Sequence, residues 1–303
     1  MIKLSIVIAT YNRAADLVRT LESLTEQTYP AEQWECVAVD NNSKDDTRAR
    51  FEEFRAAHPA LNLRMVGESN QGLSWARNRG IAESRGEIIA IIDDDETVNP
   101  DFVRGYIELF ESHPEVSAAG GRVVPYYING RPRWMSRYTE RPIAGTLDLG
   151  AAIKPFVKGY PAGGNMAMRR SDIEVLGVFS TSLGRTGSNP LGGEEKEIMQ
   201  RFADAGRQIY YTPVPVIYHY LPDSKLTDEY FSRLCRMCGV SERVMSESRG
   251  RLGRAKFAEL LKWGATIVIA FGYLLSGNLP KASKLVELRL NVTRGLFDVP
   301  QSN

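Results

Sequence analysis

Glu87-Ile88-Ile89-Ala90-Ile91-Ile92-Asp93-Asp94-Asp95-Glu96-Thr97-Val98-Asn99-Pro100-Asp101-Phe102 is the stretch that decides the fold. Its first half, Ile88 to Ile92, is apolar without alternation, the pattern of a strand buried on both faces. Four consecutive carboxylates follow, and nothing local offsets their repulsion. Pro100 suits the first position of a helix, which one acidic side chain would serve to cap. Three more only add repulsion. A divalent cation held by oxygen ligands, alone or with a nucleotide, accounts for the cluster; an acidic turn is the plainer alternative.

Upstream, the same kind of unit recurs. Leu4 to Ala9 reads as a strand ending in Thr10-Tyr11-Asn12-Arg13, and Leu17, Leu21 and Leu24 follow at helical spacing. Trp34 to Val39 is a second strand, ending in Asp40-Asn41-Asn42-Ser43, and Asp45 to Ala57 is a polar amphipathic helix. Leu63 to Val66 is a third strand. The turn Asn70-Gln71-Gly72-Leu73 then leads into a helix capped by Ser74 and running to about Ser84. Strand and helix alternating at short intervals predict a mostly parallel sheet flanked by helices. Ligands of such sheets sit beyond the carboxyl ends of the strands. That rule gathers Thr10-Tyr11, Asp40, Asn70-Gln71 and Asp93-Asp94-Asp95 along one edge.

Downstream the pattern is less regular. Val116 to Ala119 and Arg122 to Tyr126 read as two strands flanking Gly120-Gly121. From Pro125 to Pro161 aromatic residues and prolines crowd a long loop, as suits either stacking on sugar rings or a small satellite core. Arg169-Arg170-Ser171 marks a strand-to-helix turn. Ser180 to Gly193 is glycine-rich and is expected to be mobile until a ligand orders it. Glu194-Glu195 then opens a helix through Ala205. Ile209 to Tyr218 reads as a strand broken by Pro213 and Pro215, ending at His219, and the chain is helical from Lys225 onward. The expected division is a domain over residues 1–222 and a helical region over 223–303.

The 303 residues are 43% hydrophobic and 25% charged, as in an ordinary globular protein. A net charge of +1 gives no reason to expect a nucleic-acid partner. The charge is uneven, however: Arg249 to Arg294 carries nine Lys/Arg against two acids. Cys36, Cys235 and Cys238 make no disulfide framework and suit a reducing compartment, and the lone Cys235/Cys238 pair reads as structural. The N-terminal apolar run is too short for a signal peptide. A cytoplasmic location is therefore expected, and the sequons at Asn41 and Asn291 carry no meaning there. No GxGxxG follows the first strand and no GxxxxGK occurs anywhere, which disfavours dinucleotide enzymes and P-loop NTPases.

Phosphate must then be handled by metal and arginine. Arg77 is the arginine best placed to face the edge, although a solvated helix arginine is the ordinary reading. Glu194-Glu195 at a helix start is favoured by the helix dipole by roughly 0.3–1 kcal/mol. Directly after Gly192-Gly193, the pair also looks like a general base presented to a substrate. His219 beside a metal edge is a credible ligand, against a structural role.

These pieces, in order, resemble the family 2 glycosyltransferases, inverting enzymes of the GT-A type that use nucleotide-diphospho-sugars. The resemblance runs through Ser5 to Arg13, Val37 to Ser43, Asn70 to Asn78, Ile92 to Asp95, Gly163-Gly164-Asn165-Met166, Gly193-Glu194-Glu195 and His219, covering residues 1 to about 240. It implies a GT-A-type α/β fold with a C-terminal helical extension. It also implies nucleotide binding by Thr10, Tyr11, Arg13, Asp40, Asn70, Arg77, Asp93 and Asp94. Asp95 and His219 would hold Mn²⁺ or Mg²⁺, Gly164 and Asn165 would lie near donor sugar or acceptor, and Glu195 would be the base. The family more often has Asp at that last place, so Glu194 stays an alternative. The donor would be a UDP- or GDP-sugar, the acceptor a glycan, polysaccharide or lipid-linked hydroxyl.

Asp93-Asp94-Asp95-Glu96-Thr97 also fits the DxDxT of aspartyl-phosphate phosphatases, and a non-catalytic nucleotide-sugar-binding protein is a further alternative. Near the C-terminus, Leu260 to Leu275 is apolar but short of the ~20 residues that span a bilayer. It suits a helix lying in the interface, with the basic tail drawn to an anionic membrane surface; packing on the catalytic domain or a dimer contact is the alternative.

Overall fold

In the computed structural model residues 1–186 and 191–298 are described. The chain divides into two units: residues 1–126, 145–186 and 194–220, and residues 127–144, 191–193 and 221–298.

The first unit is built on β1 (Leu4–Thr10), β2 (Trp34–Asp40), β3 (Leu63–Gly67) and β4 (Ile88–Asp93), parallel in the order β3-β2-β1-β4. Every residue of β2 is buried, as is every residue of β4 before Asp93, which is why neither strand alternates. Helices α1 (Ala14–Leu24), α2 (Thr47–Ala57) and α3 (Leu73–Glu83) connect the strands. Leu17, Leu21 and Leu24 pack with Phe51, Phe54 and the Ile6/Ile8 side of the sheet; Val7, Ile89 and Ile91 belong to the opposite face. Gly80 lets α3 lie close: a Cβ there would overlap the Val7 side chain. Register sets Thr10 beside Asp40 and Ala9 beside Asp93, so the strand ends are level.

Parallel pairing stops at β4. Next to it β8 (Met166–Arg169) runs antiparallel, followed by β6 (Val116–Tyr127), β9 (Gln208–Leu221) and β5 (Glu96–Val98), with β7 (Lys154–Pro155) also pairing β9. Two sequence expectations are corrected. The strands flanking Gly120-Gly121 are one strand: side chains at these glycines would overlap Pro161, Asn165 and the Pro215 carbonyl. Likewise Pro213 and Pro215 do not break β9. The Asn99 side chain holds the backbone on either side of Pro215, donating to the Val214 carbonyl (3.0 Å) and accepting from the Val216 N–H (2.8 Å). Pro100 precedes α4 (Phe102–Ser112) rather than opening it, and Asp101 is the residue before its first turn. Helices α6 (Arg170–Leu176) and α7 (Glu194–Asp204) complete this unit.

Ser74 does not cap α3. Gly72, at φ 147°, precedes the helix, while the Ser74 hydroxyl donates to the Leu183 carbonyl (2.7 Å) and the Leu73 N–H to the Arg185 carbonyl (2.9 Å). Asn78 clamps the backbone of Phe179 in both directions, at 2.8 and 2.9 Å. Within the glycine-rich stretch expected to be mobile, residues 180–186 are therefore tied to α3, and residues 187–190 lie outside the described residues.

The second unit contains α5 (Arg137–Ala144), α8 (Asp228–Ser248), α9 (Leu252–Leu275) and α10 (Leu279–Phe297). Residues 127–144, which the sequence places with the first domain, belong here. Met135 and Ile143 are buried with Phe231, Leu234 and Leu288, and Trp134 packs edge-on to Phe231. Part of the aromatic loop is thus a satellite core. Gly239 and Gly295 allow α8 and α10 to touch backbone to backbone, since a Cβ on either would overlap a carbonyl of the other helix.

Candidate active site

The turn after β4 concentrates the charge. The N–H of Asp93 is held by Glu96 Oε2 (3.0 Å) and the Asp94 carbonyl by Thr20 Oγ1 (2.9 Å), so the backbone of the acidic run is fixed from two sides. Arg13 Nη1 bridges Asp94 Oδ1 (2.9 Å) and Asp95 Oδ2 (2.8 Å). Burial pushes the Asp94 carboxyl up to about 7, against the opposing pull of Arg13 and with the neighbouring Asp95 adding to the rise. Pairing of β5 with β9 sets Glu96 opposite His219, and the Tyr220 N–H donates to the Asp95 carbonyl (3.1 Å). His219 Nε2 thereby stands 3.7 Å from Asp95 Oδ1.

One carboxylate and one imidazole at that spacing fit a Mg²⁺- or Mn²⁺-type cation that takes its other ligands from phosphate oxygens and water. Among the described residues no three His, Cys, Asp or Glu side chains gather to hold a metal unaided.

Arg77, on α3, is the second organiser. Its side chain is 2% exposed; Nη1 reaches Glu194 Oε1 (2.9 Å) and Nη2 reaches Asp93 Oδ1 (2.8 Å). Burial would lower its pKa, but Asp93, Glu194 and Glu195 outweigh that and raise it. Burial, reinforced by Glu195 and opposed by Arg77, pushes the Glu194 carboxyl up to about 8. Glu195 is only half-buried, and a Cβ added at Gly163 would lie 3.4 Å from Arg77 Nη2 and 3.5 Å from Glu195 Cδ. Asp93, Arg77, Gly163, Glu194 and Glu195 therefore meet in one place. Arg77 is engaged by two carboxylates, whereas the Arg13 side chain keeps 39% of its surface exposed.

Asp40 closes the row beside Thr10. Its Oδ1 accepts the Ser43 N–H (2.9 Å) and its Oδ2 lies 3.4 Å from Arg48. Thr10 is buried, Tyr11 is exposed, and the Asn70 amide folds onto Glu68 Oε1 (2.9 Å). Sequence reading missed Asn41. Its Nδ2 donates to the Glu68 (3.0 Å) and Asn70 (2.7 Å) carbonyls and its Oδ1 accepts the Gly72 N–H (2.7 Å), joining the ends of β2 and β3 to the start of α3. Its place directly after Asp40 was the available signal.

Two predicted sugar-site residues are structural. Asn165 is fully buried: Oδ1 accepts from Tyr106 (2.6 Å), and Nδ2 donates to the Arg122 (2.9 Å) and Pro215 (3.2 Å) carbonyls. Both N–H donors are used and the side chain has no exposed surface to offer a sugar. Gly164 abuts the Glu96 carboxylate so closely that a Cβ would overlap both its oxygens.

Residues 5–177 match Glycosyl transferase family 2, and the chain belongs to that family. It is a glycosyltransferase with a GT-A-type fold. Among similar proteins are Glycosyltransferase AglE of Haloferax volcanii, 33% identical over 68% of this chain and 63% of the relative, and Glucosyl-dolichyl phosphate glucuronosyltransferase of the same organism, 26% identical over 80% and 77%. Succinoglycan biosynthesis protein ExoM of Rhizobium meliloti is 27% identical over 73% and 68%. Among solved structures, the mannosyltransferase PcManGT from Pyrobaculum calidifontis, in complex with GDP-Man and Mn²⁺, superposes with a TM-score of 0.60 at 20% identity, over 97% of this chain and 87% of the other. TarS of S. aureus with UDP-GlcNAc gives 0.59 at 17%, over 97% and 91%. The family assignment sets aside the DxDxT phosphatase reading.

Proposed function

We propose that this glycosyltransferase is inverting and metal-dependent, moving a sugar from a UDP- or GDP-sugar to a hydroxyl of a glycan, polysaccharide or lipid-linked acceptor. The observation that carries the reading is the meeting of Asp93, Arg77, Glu194 and Glu195, with His219 of β9 set against Asp95 in the turn after β4. The nucleotide lies along the carboxyl edge, its base near Tyr11 and Asp40 and its ribose near Asp93. A divalent cation on Asp95 and His219 would supply positive charge against the departing diphosphate. Arg13, reaching Asp94 and Asp95 from the start of α1, adds charge beside them. Arg77 holds Asp93 and Glu194 in place, leaving Glu195 to take the proton from the acceptor hydroxyl. That oxygen attacks the anomeric carbon from the face opposite the diphosphate; the bond to the diphosphate breaks and configuration inverts, as in single-displacement sugar chemistry.

One relative named for a dolichyl phosphate substrate, together with the basic C-terminal tail, supports an acceptor at the cytoplasmic face of an anionic membrane. A panel of UDP- and GDP-sugars with Mn²⁺ and lipid-linked or oligosaccharide acceptors, read by NMR of the product anomer, tests the reading. One donor should be consumed with an inverted anomer. A retained anomer contradicts the mechanism, and binding without any transfer makes the protein a non-catalytic binder.

A further inference from the structure

We propose that α9 lies in the plane of an anionic phospholipid bilayer with one apolar face immersed. This rests on the membrane part of the reading above and not on its donor chemistry.

Helix α9 is inverted with respect to a helix of a water-soluble surface. Its packed stripe is Glu259, Trp263, Thr266 and Ala270, spaced as one helical face. Glu259 accepts from Arg289 Nη1 at 3.0 Å on both oxygens and from Thr293 Oγ1 at 3.0 Å. Trp263 Nε1 donates to Thr293 Oγ1 (2.9 Å) and Arg289 Nε to Thr266 Oγ1 (3.3 Å). The polar groups thus face α10. Outward stand Phe257, Leu261, Ile267, Val268, Phe271 and Leu275, each exposing between 59% and 76% of its surface. Water favours the reverse arrangement, with the apolar stripe inside; a helix whose outer solvent is lipid favours this one.

Charge selects the occupant. Arg251 and Arg254 are exposed at the start of α9, within a tail of nine Lys/Arg and two acids. That excess matches anionic headgroups, whereas a second copy would bring two such tails together. Length argues for lying rather than crossing. Although the 24-residue helix is long and apolar enough to span, Arg254, Lys256, Glu259 and Lys262 occupy its first half. The charge-free remainder, Trp263 to Leu275, is about 20 Å long against a hydrocarbon core of about 30 Å.

Flotation of the full-length protein with phosphatidylcholine vesicles, with and without phosphatidylglycerol, tests the proposal. Wild type is expected to float with the anionic vesicles. Val268→Glu/Phe271→Glu, at exposed positions, is expected to lower the bound fraction by about tenfold or more. Arg251→Glu/Arg254→Glu is expected to abolish the preference for anionic lipid. Thermal stabilisation by nucleotide-sugar, measured on each variant, reports folding and donor binding separately. No flotation of wild type overturns the proposal together with the membrane part of the function. Flotation unaffected by Val268→Glu/Phe271→Glu overturns this face alone. A dimer in lipid-free solution that the same variant dissolves overturns it in favour of a second copy.

Discussion

Arg77 Nη1 lies 2.9 Å from Glu194 Oε1, both side chains buried, so that one ion pair ties α3 to the start of α7. With its other Nη group on Asp93, the guanidinium fixes the donor-side and base-side carboxylates relative to each other. At pH above about 8, where Glu194 is ionised, Arg77→Ala would leave two carboxylates without their counter-charge, a loss of about 3–5 kcal/mol for a broken buried pair. Urea unfolding should show that loss. Arg77→Lys should recover only part of it, because an ammonium lacks the planar fork that serves both partners.

The same contact gives a pH dependence. Burial and Glu195 raise the Glu194 carboxyl from its ordinary 4.5 to about 8, so the folded state binds a proton the unfolded state has released. Its contribution to stability is full below about 4.5 and declines as pH rises to about 8. Melting temperatures of wild type and Glu194→Gln between pH 5 and 8 should therefore diverge, the variant showing the flatter profile. Parallel profiles would contradict the assignment.

Glu195 is half-buried and adjoins Gly163, whereas Glu194 is committed to Arg77. Glu195→Gln should keep donor affinity and lose turnover by about 10²–10⁴-fold, the usual size of a general-base effect. Single-turnover transfer with saturating donor separates the two. Retained turnover in Glu195→Gln, with loss in Glu194→Gln, would move the base to Glu194.

Asn165 was expected beside the sugar and is instead a strut between Tyr106, Arg122 and Pro215. Asn165→Ala should lower stability by about 1–3 kcal/mol through the stranded partners. A raised KM for donor with unchanged stability would return Asn165 to the sugar site.

The parallel half of the fold was legible because β2 and β4 are buried on both faces and show it as unbroken apolar runs. The acidic edge was legible because the strands carrying it end at the same level. What escaped was long-range. Asn99 holds the backbone of Val214 and Val216, 115 and 117 residues away on either side of Pro215, a pairing with no local signature. The sequence shows that Asn165 follows two glycines, but not that Tyr106, 59 residues earlier, claims its amide. In α9, the apolar stretch was counted from Leu260, whereas the helix begins at Leu252. Its inverted faces depend on Arg289 and Thr293 from another helix.

The central claim is that Asp95 and His219 hold a cation through which a nucleoside diphosphate is bound. Thermal shift with UDP and GDP, with Mn²⁺ and then with excess chelator, tests it on wild type and Asp95→Ala. The account predicts that one diphosphate stabilises wild type with Mn²⁺, that chelator removes the gain, and that Asp95→Ala does not show it. Equal stabilisation of wild type in chelator, or undiminished Mn²⁺-dependent stabilisation of Asp95→Ala, would contradict it.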